Sequence, residues 1–176
     1  MKEYTTETLK NENRLKCKDE ILLSGVVYTA RDAAHKKIMQ LLDSGSKLPF
    51  CLNGAYIYYA GPTPTPTGKI CGSFGPTTSC RMDGFTPRLY DLGLFATIGK
   101  GARNIETINA IKRNHAIYLL AIGGAGAIAA QHILSVQEIA FSELGCESIK
   151  RIEFEKFPLI VGIDREGNDI FGKNSQ

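Results

Sequence analysis

The chain has 176 residues, 43% of them hydrophobic and 22% charged, a balance that excludes disordered and collagen-like chains. Its 21 basic residues against 18 acidic ones leave a net charge of +3, scattered along the chain and too weak for a protein whose affinity rests on neutralising many phosphates, so no nucleic-acid partner is expected. This length builds one domain with a sizeable core, and the charge remains compatible with a small anionic ligand.

The first twenty residues mix both charge signs and lack an apolar run, so no secretory signal is expected there. Residues 21–28 are apolar and β-branched, which predicts a strand. Residues 30–42 carry Ala34, Ile38, Leu41 and Leu42 at helical spacing, with Lys36, Lys37 and Gln40 free to face water. An amphipathic helix packed on a sheet follows, with Asp32 placed as an N-cap or first-turn acid. Residues 55–59 predict a strand that GPTPTPTG at 61–68 cannot extend, because its prolines lack donors and fix the chain as a stiff loop. Residues 69–74 predict another short strand, and Gly75 and Pro76 punctuate before a helix starting near Ser79.

Residues 94–98 predict a buried strand, GKGAR a glycine-flanked turn, and Ile105, Ile108 and Ile111 a helix over 104–113. A strand at 116–122 leads through GGAG into an alanine-rich helix ending near 133. The apolar run 116–130 is shorter than the ~20 residues that cross a bilayer, so no membrane span is expected and a cytoplasmic location is. Residues 136–141, 149–154 and 159–164 predict strands, and REGN at 165–168 turns the chain toward a short strand at 169–171. With no repeat or linker, the expectation is one α/β domain over 1–176 with a mixed sheet, frayed from about 172 onward.

Cys17, Cys51, Cys71, Cys80 and Cys146 are odd in number, widely spaced and without a CxxC pair, against the pattern of a disulfide framework or a zinc site. They likewise form no complete ligand set for an iron–sulfur cluster, so no metal ligand is assigned in this chain.

Three segments set cations beside tight turns after predicted strands: TARDAAH at 29–35, GPTTSCRMD at 75–83 and IGKGAR at 98–103. Arg31, Arg81 and Lys100 could there join free helix N-terminal amides in a cradle for carboxylates, two arginines suiting a dicarboxylate; the alternative is an ion-paired Arg31 and a solvated Lys100. Thr77 and Thr78 suit helix capping, while a threonine acting as a base needs a neighbouring charge, which Lys100 or Arg81 would supply. Asp32 and Asp83 each follow an arginine closely and read as groups orienting that cation, or as general acids or bases. His35 lies three residues after Asp32 and reads as a core-edge histidine or a hydrogen-bonding support of the active face. GAGAIA at 124–129 matches the G-x-G-x-x-A dinucleotide fingerprint but comes late in the chain without a clear ribose-binding acid, so close helix–sheet packing is the simpler reading.

GPTTSCRMDGFTPRLYDLGLFATIGKGAR, together with GVVYTARDAAHKK at 25–37, LNGAYIYYAGPTP at 52–64, AIGGAGA at 121–127, ELG at 143–145 and FPLIVGIDREGND at 157–169, resembles the β region of class I iron–sulfur fumarate hydratases and L-tartrate dehydratases. The resemblance implies a swivelling β/β/α domain and reversible hydration of fumarate to (S)-malate, a hydro-lyase reaction of the tricarboxylic acid cycle. It implies a [4Fe-4S] cluster held by a separate α subunit, its open iron acting as a Lewis acid on substrate. Carried over by motif, Arg31 and Arg81 bind substrate carboxylate, Thr77 is the candidate base, and Lys100 binds substrate or stabilises the carbanion-like intermediate.

The stretch between Arg81 and Lys100 resembles two-subunit enzymes, which implies activity only with the α subunit, in a heterotetramer containing two copies of this chain. L-tartrate dehydratase, converting tartrate to oxaloacetate, is the alternative, because it shares GPTTS, the RD pair and GKG; a non-catalytic anion-binding module and a dinucleotide-binding domain are the others.

Overall fold

Parallel strands covered on both sides are apolar on both faces. Three short strands meet that condition completely: β3 (Tyr56–Tyr58), β4 (Ala96–Gly99) and β5 (Ile117–Ala121) are buried at every residue. A computed structural model describes residues 1–121 and 125–172 of the chain. In it these strands lie beside β1 (Lys2–Thr5) and β2 (Glu20–Thr29) in one parallel run, β1-β2-β3-β4-β5. β6 (Ile133–Ala140) and β7 (Ile149–Ile163) complete a seven-stranded mixed sheet.

β7 closes the sheet on itself. It runs antiparallel to β2 along one edge, and divides its other edge between β6, opposite residues 149–154, and β5, opposite residues 159–163. Strands β2, β3, β4, β5 and β7 therefore pair in a ring. The pleat sorts side chains between two cores. Tyr56, Tyr58, Ala96, Ile98, Ile117 and Leu119 fill one with Phe154 and Phe157; Ile57, Tyr59, Tyr118 and Leu120 face the other. That second core is covered by α1 (Asp32–Asp43), α2 (Thr86–Asp91) and α3 (Ile105–Arg113), through Ala34, Ile38, Leu89, Tyr90, Ala110 and Ile111. α4 (Ala125–Gln131) sends Ala129 into the first core.

Several expectations are corrected. Residues 69–74 form no strand: Thr63 and Ser73 bond each other, and the Phe74 amide donates to the Gly126 carbonyl, so these groups serve loop and helix rather than a ladder. The expected strands 149–154 and 159–164 are one. The chain passes the charged Glu155–Lys156 pair through a left-handed Lys156 (φ 52°) opposite a register shift between Leu23 and Gly25, and Pro158 stays paired with Leu22. Residues 169–171 give only an isolated bridge, Ile163 to Asp169. The helix near Ser79 is a single 3₁₀ turn, Ser79–Met82, followed by α2 with Pro87 in its first turn. β1, polar in sequence and mostly exposed, was not expected. The GGAG turn at 123–126 and the frayed tail fall wholly or partly on residues 122–124 and 173–176, outside the described residues.

Gly72 marks where the proline loop folds back, since a Cβ there would meet the Thr63 carbonyl and hydroxyl and the Pro64 carbonyl. Gly72→Ala is expected to cost about 1–3 kcal/mol in urea unfolding, as overpacking does; an unchanged midpoint would mean that the loop is free to move away.

Candidate active site

The carboxyl ends of parallel strands are where an α/β sheet leaves its loops free to gather ligands. Here residues 75–83 lie across the ends of β2, β3 and β4. The Thr77 amide donates to the Tyr59 carbonyl at 2.7 Å, just beyond β3. The Ser79 amide donates to the Lys100 carbonyl at 2.9 Å, just beyond β4. Arg81 donates Nε and Nη2 to the two oxygens of Asp32 at 3.0 and 2.8 Å, at the start of α1 beyond β2. The three cation-bearing segments expected from sequence are thus joined.

Each expected residue has a definite setting. Arg81 is half exposed, and its fork on Asp32 leaves Nη1, which reaches Thr77 Oγ1 at 3.4 Å. Thr77 is partly exposed, and neither it nor Thr78 caps the 3₁₀ turn, so the capping reading is replaced by the contact with Arg81. Lys100 is exposed, with its backbone bound at both amide and carbonyl; no ion pair is made by its ammonium among the described residues.

The acids serve other cations than the ones they follow. Asp32 holds Arg81 rather than Arg31, as a first-turn residue of α1 and not its N-cap. Arg31 itself pairs with Glu147 at 3.5 Å, and its Nε is buried without a partner among the described residues. Glu147 also accepts the Ala33 amide at 2.9 Å, and Asn104 and Asp83 accept the amides of Thr107 and Asn104. The starts of α1 and α3 are therefore capped internally at these amides instead of offering them to a ligand.

Asp83 is buried and pairs with Arg103, not Arg81. Arg103 has no exposed side-chain surface and gives Nε to Asp83 Oδ1 at 2.6 Å, Nη1 to Thr97 Oγ1 at 3.1 Å and Nη2 to Thr86 Oγ1 at 3.1 Å. Its guanidinium also lies over the rings of Tyr59 and Tyr118. Arg103, Glu147 and Ser79 were missed as supporting residues. Arg103 stands in the GKGAR turn, but an arginine is rarely buried, and Glu147 has no local signal connecting it to Arg31.

His35 is fully buried, edge-on to Tyr59 and stacked on Phe85, with Nδ1–H donating to the Arg31 carbonyl at 2.8 Å. Its Nε2 then carries a lone pair and has no partner among the described residues. It supports the backbone of Arg31 from below and does not line the face. Among the described residues no group of three or more His, Cys, Asp or Glu side chains is placed to hold a metal ion.

Sheet and site together define an α/β domain that gathers cationic side chains at the carboxyl ends of parallel strands. A family model described as Fumarase C-terminus matches residues 2–174, and the chain belongs to that family. Fumarate hydratase 2 of Leishmania major is 42% identical over 155 residues, which are 87% of this chain and 27% of that protein. The anaerobic class I fumarate hydratase of Escherichia coli is 40% identical over 151 residues, 85% of this chain and 28% of that protein. The chain thus spans little more than a quarter of these relatives. It spans 91% of the putative L(+)-tartrate dehydratase subunit beta of Methanocaldococcus jannaschii, which is 40% identical over 177 residues.

Burial lowers the His35 pKa from 6.5 to about 4, the backbone bond to Arg31 only partly opposing it. Between these values the unfolded chain takes up a proton that the folded chain refuses. The stability from a neutral His35 is complete above pH 6.5 and is lost as pH falls toward about 4, a loss of about 3 kcal/mol. Urea unfolding at pH 7 and pH 4.5 should show this component in the wild type and not in His35→Leu; equal pH dependence in both would assign the acid lability elsewhere.

Proposed function

We propose that this chain is the β subunit of a two-subunit class I fumarate hydratase, a cytoplasmic hydro-lyase that interconverts fumarate and (S)-malate. The observation that carries this reading is the cationic face at the ends of β2–β4. There Arg81 is forked on Asp32 with Nη1 turned to Thr77, and the Lys100 ammonium has no ion-pair partner among the described residues. Similarity to fumarate hydratases at 40–42% identity supports the reaction class.

Hydration of fumarate adds a hydroxyl to one alkene carbon and a proton to the other. In this reading Arg81 and Arg31 bind carboxylate, which fixes the four-carbon skeleton. Thr77 Oγ1 exchanges the proton at C3, with Arg81 Nη1 close enough to lower the cost of negative charge on that oxygen. Lys100 binds substrate and stabilises the charge that develops as the C3 proton leaves. Asp32, His35 and Asp83 hold other groups in place.

The [4Fe-4S] cluster does not fit this chain: Cys17 is half-buried, Cys71 is buried, Cys51, Cys80 and Cys146 are exposed, and no ligand group is formed among the described residues. The cluster is assigned to a separate α subunit, in a heterotetramer, and the isolated chain is expected to be inactive. Tartrate dehydration is the second reading, favoured by the near-complete coverage of the tartrate dehydratase relative.

Anaerobic turnover of fumarate and L-tartrate by the chain co-expressed with its α subunit tests both, each subunit alone serving as control. Faster turnover of fumarate supports the first reading and of tartrate the second, while inactivity of a cluster-loaded complex leaves an anion-binding module. Arg81→Ala should lower kcat/KM by about 10²–10³-fold with the fold intact. Thr77→Ala should lower kcat by about 10²–10⁴-fold; a loss of a few-fold would make Thr77 a positioning group.

A further inference from the structure

Lys100 combines a loose end with a fixed root. Its ammonium is exposed, whereas three backbone atoms of its turn are held by two buried side chains and one amide. The Lys100 amide donates to Ser79 Oγ at 3.0 Å, and the Lys100 carbonyl accepts the Ser79 amide at 2.9 Å. Tyr118 Oη lies 2.9 Å from Ser79 Oγ and 2.9 Å from the Gly101 carbonyl.

A carbonyl only accepts, so the Tyr118 hydroxyl is the donor here, and it reaches both the Gly101 carbonyl and Ser79 Oγ at 2.9 Å. Ser79 Oγ takes the Lys100 amide on a lone pair as well. Ser79 and Tyr118 are fully buried, so water does not compete for these bonds. There is no slack beside them: a Cβ on Gly99 would collide with Ser79 Oγ, and Gly101 holds a left-handed conformation (φ 82°).

We infer that Ser79 is a positioning residue for the reaction, fixing the root of Lys100 relative to Thr77 and Arg81. Thr77, Ser79 and Arg81 occupy one short segment, so the same backbone that carries the proton-transfer and carboxylate-binding groups also carries the clamp. Relative placement of Lys100 is thereby set by a hydroxyl that touches no substrate. The inference rests on the hydro-lyase reading of this site.

A double-mutant cycle on the assembled, cluster-loaded complex tests it, using Ser79→Ala, Lys100→Ala and the pair. Turnover is read as kcat and KM, and binding is read by calorimetry with succinate, a dicarboxylate that cannot be hydrated. Ser79→Ala should lower kcat/KM by up to about 10²-fold, as a misplacement of order 1 Å does, and weaken succinate binding. In the Lys100→Ala background it should have no further effect on either, because the residue through which it acts is gone. A merely structural serine would instead give equal losses in both backgrounds, and that additivity overturns the inference while leaving the hydro-lyase reading intact. So does a Ser79→Ala complex with wild-type kinetics. Should Ser79→Ala fail to assemble, Tyr118→Phe removes the hydroxyl that holds Ser79 and Gly101 and is read in the same cycle. A wild-type complex that neither turns over nor binds succinate overturns the reading of the site and the inference with it.

Discussion

A guanidinium with no exposed surface must find partners for its charge and its donors, and that requirement at Arg103 organises the carboxyl end of the sheet. Its partners come from separate parts of the chain: Thr97 from β4, Asp83 from just after the 3₁₀ turn and Thr86 from the first residue of α2. Asp83 in turn accepts the Asn104 amide at 2.8 Å and the Thr107 hydroxyl at 3.2 Å, which binds the start of α3 to the same centre. The segment 75–83 therefore has little choice of path. It is drawn across the strand ends, and the exposed groups it carries, Thr77 and Arg81, are delivered beside Lys100.

The acids at this end of the sheet grade the cations by burial. Asp83 neutralises the cation that never meets solvent, whereas Asp32 and Glu147 pair with cations that are half and one-quarter exposed. An exposed pair is worth little and opens easily, while loss of one partner from a buried pair leaves an uncompensated charge. Arg103 is thus committed to structure, whereas the ion pairs of Arg31 and Arg81 lie where solvent reaches them.

Much of the element order was legible because the relevant signals are local. The helical spacing of Ala34 and Ile38 gave α1, and the isoleucines at 105, 108 and 111 gave α3. Residues 69–74 misled because their composition suits a strand, while the bonds that decide their path come from Thr63 and Gly126. β7 was split because a proline and a pair of charged residues ordinarily end a strand, and its continuity depends on a partner, β2, that lies more than a hundred residues earlier. At the site, the TARD, TTSCR and GKG segments announced their cations, and the sheet brings them together. Their counter-ions were illegible. Sequence neighbours suggested Arg31 with Asp32 and Arg81 with Asp83, but helix and turn geometry send adjacent side chains in different directions, so each arginine meets an acid from another element.

Arg81 and Lys100 overcome the entropy of ordering a long side chain in different ways. Immobilising such a chain costs about 0.5–1.5 kcal/mol each time a ligand binds. For Arg81 the head is ordered in advance, since the fork on Asp32 fixes the guanidinium plane and leaves Nη1 directed at Thr77. For Lys100 the head makes no ion pair among the described residues and the root is ordered, through Ser79 and Tyr118. A planar fork holds its charge in one orientation, whereas a tethered point charge leaves its head able to follow a partner. The buried hydroxyls beneath Lys100 fix the backbone from which its exposed ammonium extends.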